Sequence, residues 1–183
     1  MTNTNLLPDE LPAPVDDGAC DQLPGQPLPA LALSACDGSL VDLSARSGRT
    51  VVFVYPRTGV PGQALPAGWD DIPGARGCTP QSCRFRDLHA EFAALDIAIF
   101  GLSTQSSEEQ REATERLHLP YRLLSDADLA WSSALRLPTF QADGLTLIRR
   151  LTLVVDDGVI GRCDYPVFPP DTATDALLAS LRG

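Results

Sequence analysis

The sequence predicts an α/β fold, in which a mixed central sheet is covered by helices on both sides and a β-hairpin lies near the N-terminal end. Three observations carry this reading. The runs TVVFVY (50–55) and IAIFGLS (97–103) are continuous in β-branched and apolar residues, as in strands buried on both faces. Segments with helical spacing or helix-start signals alternate with them. Turn dipeptides, Asp37-Gly38 and Asp157-Gly158, close a hairpin toward each end of the chain. A length of 183 residues with 44% hydrophobic content suits one globular domain with a single sizeable core.

Residues 1–28 hold Pro8, Pro12, Pro14, Pro24 and Pro27 among acidic and small residues, which predicts an extended arm, leaving 29–183 as the folded domain. LALSA (31–35) and SLVDL (39–43) flank Asp37-Gly38 as the hairpin strands. After the strand at 50–55, residues 56–77 are rich in Pro and Gly. A loop of about twenty residues within a compact domain suggests one wall of a functional site. A helix is expected from Thr79-Pro80, with Thr as N-cap and Pro at the first helical position, and with Phe85, Leu88, Phe92 and Leu95 as its core face. The strand at 97–103 is followed by a helix over 106–117, opened by the capping box Ser106-x-x-Glu109. A short strand at 121–125, a helix near 126–135, strands at 147–155 and 159–163 and a helix over 172–182 complete the chain.

The net charge of −10 disfavours broad contact with nucleic acid or anionic membrane. All fourteen basic residues are Arg and they are scattered, so no basic patch offsets that balance. There is no run of about 18 apolar residues, and the start lacks a basic region followed by an apolar one, so a soluble, cytoplasmic protein is expected. Five cysteines, Cys20, Cys36, Cys78, Cys83 and Cys163, are an odd number at irregular spacing, which argues against a static disulfide framework and for reactive thiols among them.

Cys78 falls at the start of the predicted helix, where unpaired backbone N–H groups and the positive end of the helix dipole favour an anion. A thiolate is such an anion, and helix N-termini or neighbouring guanidinium groups such as Arg76 and Arg84 turn a thiol into a nucleophile. Cys83 is five residues further on, so in an intact helix it is rotated by about 140° and displaced by about 7.5 Å along the axis. A disulfide needs Cα atoms within roughly 7 Å and converging Cβ vectors, so joining the pair requires the first turns to unwind.

The run GCTPQSCRFRDLHAEF (77–92) resembles the G-C-T-x-x-A/S-C-x-x-R-D stretch of the peroxiredoxin Q or bacterioferritin-comigratory subfamily. DGSLVDLSARSGRTVVFVYP, IFGLST, LPYRLLSDADLAWSSALRLP and RLTLVVDDG are similar to that family's segments in the same order, so the resemblance covers about residues 28–182. It implies a thioredoxin-like fold, a peroxidatic thiolate at Cys78 and a resolving cysteine at Cys83. A hydroperoxide would oxidise Cys78 to a sulfenic acid, Cys83 would condense with it, and thioredoxin, or a glutaredoxin or other small thiol, would reduce the disulfide. No metal, flavin or haem cofactor is implied. Because both cysteines share one helix, no second subunit is needed, and a monomer or weak homodimer is expected. The family's arginine at the start of a late strand corresponds to Arg150, with Arg149 as its rival.

One departure from the family concerns its pattern Pro-x-x-x-Thr-x-x-Cys, whose ungapped positions here are Asp71 and Ala75. The alternative alignment keeps Pro56 and Thr58 as the proline and threonine, with VPGQALPAGWDDIPGAR (60–76) inserted before Gly77-Cys78. Thr58 would then offer its hydroxyl to the peroxide.

Trp69 either anchors the inserted loop or lines a surface, and Trp131 is read as core or half-buried. Cys20, Cys36 and Cys163 are read as bystanders, and neither His89 nor His118 has a partner at metal-ligand spacing. Two other functions remain open from the residues. A thiol-disulfide oxidoreductase would use Cys-x-x-Cys, which is absent here, and a redox sensor would oxidise slowly and pass the signal on.

Overall fold

A computed structural model describes residues 7, 8 and 10–183; the remainder of the predicted N-terminal arm, residues 1–6 and 9, lies outside them. Seven strands form one mixed sheet: β1 (Ala32–Ala35), β2 (Leu40–Asp42), β3 (Arg49–Val54), β4 (Ala98–Ser103), β5 (Arg122–Ser125), β8 (Leu151–Asp156) and β9 (Val159–Asp164). Their order is β2-β1-β5-β4-β3-β8-β9. β3 runs parallel to β4, and β4 to β5, whereas β1 and β8 join antiparallel. A separate antiparallel ribbon pairs β6 (Thr139–Ala142) with β7 (Leu145–Ile148).

Strand alternation divides the core into two layers. Val52, Val54, Phe100, Leu102, Leu124 and Leu153 face a cluster containing Trp131, Leu135, Leu23 and Leu43. Val51, Phe53, Tyr55, Ile99, Leu123 and Val154 face the opposite cluster, built from Phe85, Phe92, Ala113, Leu117, Leu177 and Leu178. The second layer is therefore made by α1 (Cys78–Asp87), α2 (His89–Ala93), α3 (Ser107–Leu117) and α5 (Ala173–Leu181), and the first by α4 (Ala130–Ala134) with irregular chain. Helices cover both faces, as the alternation of elements predicts.

Residues 25–28, within the segment read as an arm, lie along the outer edge of β9. Gly25 N donates to Ile160 O (2.7 Å), Ile160 N to Gln26 O (2.9 Å) and Leu28 N to Gly158 O (2.8 Å). Leu23 is fully buried in the first layer and Cys20 nearly so.

Three expected elements differ, the first of them at both ends. The helix expected to continue to Leu95 breaks at Leu88 (φ −97°, ψ 4°), and α2 ends before Leu95, which is exposed because helical spacing no longer applies there. α1 starts two residues early, at Cys78, with Gly77 rather than Thr79 as its N-cap. The helix near 126–135 shortens to α4 because Asp126 stays outside it and its carboxylate accepts from Trp131 N and Ser132 N, both at 2.9 Å. The strand at 147–155 is two strands with a corner at Arg149-Arg150, since β7 leaves the main sheet to pair with β6.

Gly101 sits where β4 crosses the aromatic core; an added Cβ would lie 2.5 Å from Leu123 Cδ2 and 2.8 Å from Phe53 Cζ. Gly101→Ala is expected to destabilise the protein by about 1–3 kcal/mol through overpacking. Urea denaturation checks this, and an unchanged midpoint would show that the layer has room the packing denies.

Candidate active site

α1 begins on a residue that only glycine accommodates easily. Gly77 has φ +105°, a left-handed conformation, and a Cβ there would meet Pro170 Cγ at 2.3 Å. No side chain caps the helix. Gln81 N already donates to Gly77 O (3.0 Å) and Pro80 has no N–H, so among the described residues the N–H groups of Cys78 and Thr79 are left without a protein acceptor. They lie at the positive end of the helix, on the wall of a small cleft lined by Arg57, Gly59, Leu65, Trp69, Arg76 and the first turn of α1.

Cys78 is only 3% exposed, yet it belongs to that wall. Its thiol approaches Ala75 O at 3.6 Å, and its sulfur accepts from Arg150 Nη2 at 3.2 Å. Arg150 is itself buried, 3% exposed, at the corner before β8. Its Nη2 also donates to Ala75 O and Arg76 O (both 3.1 Å), its Nε to Gly74 O (3.3 Å) and its Nη1 to Gln81 Oε1. Every one of these acceptors other than the sulfur is neutral, and among the described residues Arg150 forms no ion pair with a carboxylate. A buried guanidinium without a counter-charge is costly, so negative charge on Cys78 Sγ is what this geometry stabilises. The rival, Arg149, points elsewhere: its guanidinium lies over the Phe140 ring at 5.8 Å.

Cys83 shares α1 but is half-buried against the second core layer. Burial pushes its thiol above the ordinary range, with the nearby carboxylate of Asp87 acting in the same direction and the cations of Arg86 and Arg116 opposing it. With α1 helical through both positions, the two cysteines are apart.

Thr58 lies behind the cleft wall rather than in it. It is buried, its N–H (2.8 Å) and hydroxyl (3.1 Å) both donate to Gln105 Oε1, and its neighbours Arg57 and Gly59 line the cleft. Arg84 also turns away, pairing with Asp175 of α5. Arg76 does reach the cleft, where it pairs with Asp70 at 2.9 Å. Trp69 is 4% exposed and packs with Ile72, Ala75, Phe140 and Leu147, so it anchors the 60–76 segment to the β6–β7 ribbon while lining the cleft.

Sequence reasoning missed Gln81, the side chain that fixes the outer end of Arg150, and Thr79 as a cleft residue. Their position on the first turn, beside Cys78, was the available signal. Among the described residues no group of three or more His, Cys, Asp or Glu side chains is placed to hold a metal.

The family model described as Redoxin matches residues 23–178 of the chain. The chain is 36% identical over 103 residues to Peroxiredoxin Bcp of Bacillus subtilis, covering 56% of each protein. It is 32% identical over 105 residues to Peroxiredoxin bcp1 of Schizosaccharomyces pombe, covering 56% of this chain and 46% of that one. It thus spans about half the length of these curated relatives. The crystal structure of peroxidoxin BcpB from Mycobacterium tuberculosis superposes with a TM-score of 0.70 at 28% identity, covering 87% of this chain and 96% of that one, so the thioredoxin-like fold is shared throughout.

Gly77→Ala is expected to cost about 1–3 kcal/mol through its clash with Pro170 and its left-handed backbone, and to slow alkylation of Cys78 by displacing the first turn. Denaturation and iodoacetamide kinetics on the same protein read both effects; wild-type values in both would mean that the helix start is not set by Gly77.

Proposed function

Since the chain belongs to the redoxin family, we propose that it is a thiol peroxidase, reducing hydrogen peroxide and organic hydroperoxides by way of an intrasubunit disulfide. The observation that carries this is the buried Arg150 guanidinium, which among the described residues pairs with no carboxylate and donates to Cys78 Sγ beside two N–H groups without a protein acceptor. A thiolate at Cys78 attacks the peroxide's distal oxygen, giving Cys78–SOH and an alkoxide that leaves as ROH once protonated. Arg150 and the first-turn N–H groups stabilise the charge as it shifts from sulfur to oxygen. Cys83–SH then condenses with the sulfenic acid, releasing water, and an external dithiol reduces the disulfide. The net reaction is ROOH + dithiol → ROH + H₂O + disulfide.

Thioredoxin or a similar dithiol protein is the proposed reductant, and the proposed setting is the cytoplasm, with the chain acting as a monomer or weak homodimer. No helix among the described residues is long and apolar enough to cross a membrane. Thr58 enters this reading as a positioning residue, holding the Arg57–Gly59 wall through Gln105. Thr79 is the hydroxyl on the cleft side. Leu65, Trp69 and Arg76, contributed by the 60–76 segment, form the wall opposite the helix.

The two half-reactions respond differently to substitution. Cys78→Ser is expected to abolish peroxide consumption, while Cys83→Ser consumes about one equivalent and then stalls under dithiol recycling. Arg150→Met should slow the first step by about 10²–10³-fold, the cost of removing one such donor. Stopped-flow oxidation measures all three. Full turnover without Cys83 would require another resolver, and wild-type oxidation no faster than that of an ordinary thiol would favour the redox-sensor reading.

The disulfide-forming step is expected to accelerate with pH. Cys83 has a folded-state value raised above its ordinary one, so the stability this contributes is present at low pH and is lost as pH rises past the unfolded value of about 8.5. Both the thiolate fraction and the tendency of α1 to open therefore grow as pH rises from about 8.5 upward. A rate of sulfenic acid loss that is flat or falling over that window would contradict the assignment of Cys83.

A further inference from the structure

Cys20 and Cys163 are separated by most of the sequence, yet they meet on one face of the sheet. Cys163 lies on β9 opposite Leu153, which belongs to the first core layer, and it packs against that layer, of which Cys20 is a member. The antiparallel run of residues 25–28 against 158–160 carries the preceding chain, with Cys20, back toward Cys163, and Cys20 is among the groups that act on the Cys163 thiol. The two cysteines lie within a continuous seam between the N-terminal segment and β9. Residues 25–28 hydrogen-bond to Gly158 and Ile160, and the Asp17 carboxyl is held below its usual range by Ala19 N–H and by the Tyr165 hydroxyl. Further along, Pro14 packs on Gly74, whose carbonyl holds Arg150 Nε.

We propose that Cys20 and Cys163 are a second redox site, a dithiol that small disulfides convert to a disulfide, locking residues 14–28 across β9 and behind the loop that carries Gly74. No helix separates this pair, since Cys163 packs against the cluster to which Cys20 belongs, in contrast to Cys78 and Cys83 on their helix. Cys163 is the partly exposed member and Cys20 the buried one. A small disulfide RSSR exchanges with Cys163, giving a mixed disulfide and RSH; Cys20 then attacks the Cys163 sulfur, expelling the second RSH. The net change is two protein thiols and RSSR to one protein disulfide and two RSH, with no peroxide required. The neighbouring Cys20 thiol and burial push the Cys163 thiol up, so the exchange is slow. The lock therefore records sustained oxidation rather than single turnovers.

The test leaves the peroxidatic cysteines out. In Cys36→Ser/Cys78→Ser/Cys83→Ser protein, only Cys20 and Cys163 remain, and 2-hydroxyethyl disulfide is the oxidant. The expected result is loss of both free thiols, a monomer on non-reducing electrophoresis, no retained hydroxyethyl adduct, and a Tm about 5 °C or more above that of the reduced form, because the new bond closes a long loop. Adding Cys20→Ala should leave a stable adduct on Cys163. Two thiols still titrating, a persistent adduct with Cys20 present, a linked dimer, or ring closure without a Tm rise would each overturn the proposal. Should the Cys36→Ser background fail to fold, peptide mapping of the oxidised wild-type chain, cut between Cys20 and Cys36, decides the same point. A linkage from Cys20 to Cys163 supports the proposal and its absence overturns it, whatever the outcome at Cys78.

Discussion

The buried contact between Arg150 and Cys78 is the constraint around which the rest of the site is arranged. A guanidinium in a site of low dielectric must be neutralised or fully hydrogen-bonded, and here its N–H groups are taken up by three backbone carbonyls, one amide oxygen and one sulfur. The three carbonyls belong to Gly74, Ala75 and Arg76, so the cation also fixes the loop that delivers the chain to α1. One side chain thereby sets the loop, the helix start and the charge preference of the sulfur. Its own position follows from the corner between β7 and β8, where the backbone leaves the small ribbon and enters the main sheet.

Much of this arrangement was legible in the residues, and the exceptions have physical causes. Buried strands announce themselves through unbroken apolar runs, and α3 through its capping box, because these signals are local. The corner at Arg149-Arg150 was not legible, since LTLIRRLTLVV reads as one run and only the pairing of β7 with β6 interrupts it. The same holds for residues 20–28: the prolines deny them helix or central strand, but an edge position beside β9 needs only a few N–H groups, which the residues between the prolines supply. At the site, the helix-start cysteine and the late arginine were readable, one from helix electrostatics and the other from family resemblance. The role of Gln81 depends on where Arg150 ends up in three dimensions, which no local pattern encodes.

The 60–76 segment and the β6–β7 ribbon support one another. The ribbon enters the main core through Ile148 at the end of β7; beyond that, Trp69, Ala75, Leu147 and Ala142 make a cluster of their own, with Leu65, Ile72 and Phe140 at its edge. A two-stranded ribbon is marginal alone, and a Gly/Pro-rich loop cannot bury its own backbone, so each supplies the apolar partner the other lacks. The wall of the cleft opposite α1 is consequently held by that small cluster and, at its end near α1, by the Arg150 bonds to Gly74, Ala75 and Arg76. Its cations are tethered at the periphery as well, Arg76 to Asp70 and Arg57 to Glu109.

In the proposed cycle the helix that carries both cysteines has to hold the first still and later release it to the second, and its composition fits that double requirement. CTPQSCRFRD is rich in weak helix formers, is only ten residues long and lacks a side-chain N-cap, so its own propensity does not sustain it. Tertiary contacts do. Phe85 stacks on Phe53 with centroids 4.4 Å apart, Tyr121 donates to Ser82 O at 2.6 Å, and Arg84 pairs with Asp175. These anchors grip residues 82–85, whereas the first turn is held by Gly77, Arg150 and the sulfur itself. In that cycle, oxygen added to the sulfur would no longer match the socket in charge and size, and the first turn would lose its chief tie while the later anchors remained. Unwinding would then shorten the path to Cys83 without dismantling the core beneath it. The ordering follows from where the anchors lie: a helix pinned at its middle and tied at its start through Cys78 would open from the end where the proposed chemistry takes place.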